Sequence, residues 1–189
     1  MGGPVAPPLI LASRSPQRRA ILAQLGIPFE VADPRFDEVE GTTPLERAVG
    51  KARSVTPDER PVLGVDTEVL LDGRLLGKPA DETEAEAMLE SLSGRVHEVV
   101  SGLCLRTTAW EEQRSETTRV TFRELTPRDL GRYVATDEWR GRAGGYAIQG
   151  LGAALVARVE GDYLNVVGLP AALLVGLLAS RFAGVYGFG

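Results

Sequence analysis

Ser13, Ser15, Arg14, Arg18 and Arg19 crowd into one short stretch, ASRSPQRR, directly behind the apolar run Leu9–Ala12. Ser15 suits an N-cap and Pro16 the first helical position, so the stretch reads as strand, turn and helix start. Such a start presents backbone N–H groups and the positive end of the helix dipole, and the arginines add full charges, which together suit an anion such as a phosphate. On a second reading Ser15 only caps while two of the arginines lie on a solvated helix face. Further along, Asp66 follows the apolar run Pro61–Val65, and an acidic loop over residues 33–42 holds Asp37 and Glu38. A hard divalent cation, Mg or Mn, takes carboxylate oxygens and keeps water and substrate phosphates as its other ligands, so Asp37, Glu38 and Asp66 are candidate ligands. Lys51 and Lys78 add cations, and Gln149 an amide, the last inside the glycine-rich stretch GRAGGYAIQGLG. The inventory fits phosphate-ester chemistry in an α/β enzyme. No Walker A, HExxH or CxxC pattern is present, so P-loop, zinc-protease and dithiol chemistries lack support.

The elements that must position these residues alternate. Leu9–Ala12 and residues 28–32 read as strands around a first helix that Gly26 ends. Thr43-Pro44-Leu45-Glu46 matches a capping box and starts a second helix carrying Lys51, whose alternative reading is a solvated surface lysine. Gly50 weakens that helix by about 1 kcal/mol relative to alanine and is expected to loosen the placement of Lys51. Pro61–Val65 reads as a strand buried on both faces that delivers Asp66 at its carboxyl end, where ligands bind in open α/β sheets. Glu68–Leu71 and Arg74–Leu76 read as a hairpin about Asp72-Gly73, closed by Gly77-Lys78-Pro79, which aims Lys78 back toward Asp66. A third helix begins near Asp81 and ends at Gly94. Val96–Leu105 and residues 119–125 read as longer strands, linked by an acidic connection holding Trp110. A helix over 127–135, strands over 153–159 and 163–167, and a closing helix over 169–182 complete the pattern. A mixed sheet in an α/β protein follows.

Composition narrows the partners. The chain has 189 residues, 43% hydrophobic and 25% charged, with a formal net charge of −5. That charge disfavours bulk attraction to nucleic acid or an acidic membrane, so phosphate recognition must come from a local basic cluster. The apolar run near the C-terminus is too short to span a bilayer. Residues 1–8 read as a flexible tail and lack the pattern of a signal peptide, leaving one domain over 9–189. The single cysteine, Cys104, reads as a buried inert thiol and fits a reducing, cytoplasmic setting. The single histidine, His97, cannot build a metal cluster and reads as a structural group at a strand edge.

Taken together, ASRSPQRRAILAQLG at 12–26, FDE at 36–38, LGVDTEVLLDG at 63–73, GKP at 77–79, LSGRVHEVVSG at 92–102, GGYAIQGLGA at 144–153 and NVVGLP at 165–170 resemble the Maf family of nucleoside triphosphate pyrophosphatases, in order and spacing. The resemblance implies a fold similar to the inosine triphosphatases: an elongated, two-lobed α/β structure with a mixed sheet and the substrate in a central cleft. It implies hydrolysis between the α- and β-phosphates, to the monophosphate and pyrophosphate, with a divalent metal. By position, Ser13, Ser15, Arg18 and Arg19 resemble the phosphate-binding turn, and Glu38, Lys51, Asp66, Lys78 and Gln149 the polar lining of the cleft. Asp66 matches the proton acceptor. Whether it orients water or, with Glu38, ligates the metal stays open.

Three positions separate the subfamilies. The dTTP/UTP group resembles this chain at Thr67 and Gln149, with a neutral amide suited to a uracil or thymine edge. Gln17 departs from the arginine of that group. The resemblance therefore implies a dTTP/UTP pyrophosphatase acting on canonical and modified pyrimidine nucleotides, in a family whose members often form homodimers. Two alternatives stand beside it: a nucleotide-binding regulator of septum formation with little catalysis, and a 7-methyl-GTP pyrophosphatase.

Overall fold

Leu9–Ala12 forms strand β1, and all four side chains are buried, as an unbroken apolar run requires of a strand covered on both faces. The computed structural model describes residues 6–36, 42–56 and 58–189. Glu38 and Asp37 lie outside the described residues, as does residues 1–5 of the expected tail. β1 pairs in parallel with β2 (Phe29–Ala32) and with β3 (Val62–Leu71), setting Ala12 opposite Ala32 and Gly64. β4 (Arg74–Leu76) runs antiparallel to the far half of β3. With β5 (Val96–Arg106), β6 (Glu111–Phe122) and β7 (Val156–Glu160), the strands make a seven-stranded mixed sheet in the order β2-β1-β3-β5-β6-β7, β4 joining β3. The helices are α1 (Pro16–Gln24), α2 (Pro44–Arg53), α3 (Glu82–Leu92), α4 (Pro127–Val134), α5 (Tyr163–Val167) and α6 (Ala171–Arg181). The expected α/β class with an open mixed sheet is what the chain forms.

The chain divides into two compact units. The first comprises Met1–Asp66, Ser101–Glu116 and Gly168–Gly189; the second comprises Thr67–Val100 and Thr117–Val167. In the first, Ile10, Ala12, Val49, Ala52, Val62 and Cys104 form a buried cluster between strands and α2. Burial pushes the Cys104 thiol up to about 12, which keeps it protonated and inert as the sequence suggested. In the second unit, α3 and α4 pack Leu89, Leu92, Leu130 and Tyr133 against Val99, Val120 and Phe122. Among the described residues no helix is long and apolar enough to cross a membrane.

Four local expectations give way. β3 is one strand of ten residues, so Asp66 stands in its middle and not at its end. β1 accompanies β3 as far as Gly64, and β4 pairs with it from Val69. The acidic connection is itself the first half of β6, which starts at Glu111; alternating charge there marks a solvated strand. Residues 163–167 form helix α5 and not a strand, because the Asp162 carboxylate accepts from the backbone N–H groups of Leu164 and Asn165 and so starts a helical turn. Asn165, fully buried, then fastens that turn by donating to the Val99 carbonyl and Thr118 Oγ1. His97 lies in β5, an interior strand of the sheet, and is only 1% exposed. Its Nε2 lies 2.8 Å from the Tyr146 hydroxyl, and its ring stands edge-on to Phe122 and Tyr146. Burial lowers its pKa to about 4.

Candidate active site

Helix α2 begins with the expected capping box: Thr43 Oγ1 accepts from Glu46 N at 3.2 Å, and Glu46 Oε2 accepts from Thr43 N at 2.8 Å. Its placement depends on two glycines. A Cβ on Gly64 would come within 2.2 Å of the Ala48 carbonyl oxygen, and one on Gly102 within 2.3 Å of Leu45 Cα. The helix backbone therefore lies directly on β3 and β5, closer than any side chain permits. Gly50 has a related purpose, since a Cβ there would strike the Phe36 ring at 2.1 Å. It accommodates that ring, and the adjacent Lys51 is held in an ion pair, not loosened.

From this helix Arg47 and Lys51, four residues apart and hence on one face, reach the same carboxylate. Arg47 Nε donates to Asp66 Oδ2 at 2.6 Å and Lys51 Nζ to Asp66 Oδ1 at 2.5 Å. The three side chains are 12%, 12% and 11% exposed. Arg47 also donates through Nη1 to the Thr42 carbonyl. Sequence reasoning found Lys51 and Asp66 and missed Arg47. The available signal was its spacing from Lys51 on a capped helix, next to the small buried residues Ala48 and Ala52 that bring this side of the helix onto the sheet.

The turn after β1 takes the expected form. Ser15 caps α1, with Pro16 in its first turn. Buried Ser13 accepts through Oγ from Ser15 N at 3.2 Å and from Arg18 Nη1 at 3.0 Å. Arg18 Nε donates to the Gly168 carbonyl at 2.9 Å, so its guanidinium is fixed across the mouth of the turn. The side chain of Gln17 meets Ser15 Oγ at 3.0 Å, and Arg19 Nη2 donates to the Arg14 carbonyl at 3.1 Å. Arg14 itself turns away, into an exposed pair with Asp33 that raises the arginine's pKa and lowers the aspartate's. Because Ala12 and Gly64 are opposite in parallel strands, Ser13 and Asp66 both follow the point where β1 pairing ends. The first unit thus holds two groups: Ser13, Ser15, Gln17, Arg18 and Arg19 at the turn after β1, and Asp66 on the paired strand β3 with Lys51, Arg47 being added.

Thr67, Lys78 and Gln149 belong to the second unit. Thr67 is half-buried in β3, while Lys78 and Gln149 are exposed on loops. Those two loops are joined: Gly144 N donates to the Gly77 carbonyl at 3.0 Å. The Gln149 loop is fixed further by Tyr133, whose hydroxyl accepts from Ala147 N, and by Glu138, whose carboxylate accepts from Leu151 N and Gly152 N.

The donor chemistry allows a hard divalent ion. Each Asp66 oxygen accepts one of the two hydrogen bonds described, and a carboxylate has about four lone-pair positions in all. One or two carboxylates completed by water and phosphate is the usual protein share for Mg. Among the described residues no group of three or more His, Cys, Asp or Glu side chains forms a metal cluster. Glu38, the other expected ligand, lies outside them.

An α/β sheet with a capped, arginine-bearing helix start after one strand and a carboxylate bracketed by two cations on the next offers donors suited to phosphate. Residues 8–181 match the family model of Maf-like proteins. The chain is 45% identical, over the full length of both, to a dTTP/UTP pyrophosphatase of Deinococcus radiodurans. It is 49% identical to one of Symbiobacterium thermophilum, over 86% of this chain and 88% of the relative, and 42% identical to one of Pyrococcus furiosus, over 90% and 93%. The chain belongs to the Maf family.

Proposed function

We propose that this protein hydrolyses nucleoside triphosphates, dTTP and UTP foremost, to the nucleoside monophosphate and pyrophosphate. The observation that carries the proposal is Asp66, a buried carboxylate held by Lys51 and Arg47, which follows the same strand-pairing boundary as the Ser13–Arg18 turn. Water attacks the α-phosphorus, the bond from that phosphorus to the α,β-bridging oxygen breaks, and pyrophosphate leaves with the electron pair. Asp66 orients the water and accepts its proton. Arg18, Arg19 and the backbone at the start of α1 bind phosphate oxygens, and Lys51 neutralises charge that develops on them. A Mg or Mn ion held by Asp66 and Glu38 would supply further charge neutralisation on the triphosphate. Lys78 is assigned to the phosphates, and Thr67, Gln149 and Gln17 to substrate selection, on their sequence positions. The Gln149 amide can both donate to and accept from a pyrimidine edge. The same reading puts the protein in the cytoplasm and admits a homodimer.

Purified protein with Mg or Mn is expected to release pyrophosphate and monophosphate from dTTP and UTP. Asp66→Asn lowers the rate by about a hundredfold or more, as loss of a positioned base does. Unchanged pyrophosphate release in that variant, or orthophosphate as the main product, defeats the proposal.

A further inference from the structure

We infer that Arg47 is a positioning residue of the reaction, the bracket that keeps the Asp66 carboxylate aimed while substrate is turned over. The inference rests on the pyrophosphatase reading of the site. Arg47 Nε meets Asp66 Oδ2 at 2.6 Å while Nη1 of the same guanidinium donates to the Thr42 carbonyl. A planar guanidinium fastened at two edges, one on backbone at the helix start and one on the carboxylate, has little freedom to rotate. Lys51 offers the opposite character: a compact ammonium on a flexible stem, which meets Asp66 Oδ1 through Nζ. When a triphosphate arrives, an ammonium of this kind can swing to a phosphate oxygen, and Arg47 then remains on Oδ2.

The burial of the arrangement argues for use over stability. Taking three charged side chains out of water is costly, and a buried ion pair is commonly no better for stability than apolar packing of equal volume. A reacting carboxylate, by contrast, must be held to within a fraction of an ångström, and a misplacement of about 1 Å can cost about a hundredfold in rate. Arg47 acts through Asp66. It spends Nε and Nη1 on the carboxylate and the Thr42 carbonyl.

Steady-state kinetics of dTTP hydrolysis test this, together with the affinity for a dTTP analogue whose α,β-bridge cannot be cleaved. Arg47→Met is expected to lower kcat by about ten- to a hundredfold, with KM and analogue affinity within about threefold of the parent. Arg47→Lys, which keeps the charge but cannot engage Asp66 and Thr42 from one rigid plane, recovers part of that loss. A raised KM and weakened analogue binding at unchanged kcat would make Arg47 a phosphate contact and overturn the inference. So would parental kinetics in both variants. If Arg47→Met does not fold, Arg47→Lys decides alone, by the same split between kcat and KM. Asp66→Asn separates the two levels: if it retains full activity the pyrophosphatase reading of this site fails, whereas its inactivity beside parental Arg47 variants sinks only the inference.

Discussion

Ser13 illustrates how much one hydroxyl can hold. It accepts from Ser15 N and from Arg18 Nη1, and so joins the turn to the Arg18 guanidinium, the group proposed to meet phosphate. Ser13→Ala is expected to raise KM for the nucleotide by about tenfold, the worth of one hydrogen bond to a charged group, with a smaller change in kcat; a parental KM would show Arg18 to be held well enough by Gly168. Much of this scale could be read from the chain itself. Ser15-Pro16 announces its helix start in two letters, and Asp66 stands out because a charge follows the apolar run Pro61–Val65. Arg47 could not be read that way. Amid Glu46, Lys51 and Arg53 it looks like one more solvated charge, and only the placement of α2 on β3 turns it inward. Arg14 erred in the other direction: next to the turn in sequence, it faces Asp33 in space.

Elements placed by special residues were read well, and elements placed by neighbours were not. The capping boxes at Thr43 and Thr126 give the starts of α2 and α4. The length of β3 and the strand character of residues 111–118 depend on partners distant in the chain, which local pattern does not encode. α5 is the clearest case, since Tyr163–Val167 has the composition of a strand and is bent into a helix by the Asp162 carboxylate and the Asn165 amide. Helix α2 carries the prediction proper to this scale. Gly64→Ala inserts a methyl where the Ala48 carbonyl lies 2.2 Å away, so it is expected to destabilise the protein by about 1–3 kcal/mol or more in urea denaturation. It should also reduce turnover, because Lys51 and Arg47 move with the helix. A variant with parental stability and rate would mean that α2 can lift from the strand freely.

For the molecule as a whole, His97 ties stability to pH. Its pKa is lowered from 6.5 to about 4 by burial. The unfolded chain therefore binds the proton first as pH falls, and the native state loses stability between pH 6.5 and about 4. The full difference corresponds to about 3 kcal/mol at 1.36 kcal/mol for each pKa step. Native stability followed by chemical denaturation should decline across that window, and His97→Gln should flatten the decline. An equal slope in both proteins would assign the acid sensitivity to other groups.

The hydrogen bond from Arg18 to the Gly168 carbonyl spans 150 positions of sequence. The ribosome must add all of that intervening chain before the acceptor for the guanidinium exists. The first unit is gathered from both ends and the middle of the chain. The turn at Ser13 and Arg18 is thus completed only once Gly168 has been made, and a message cut short ahead of that codon would yield a product in which the Arg18 guanidinium lacks this acceptor.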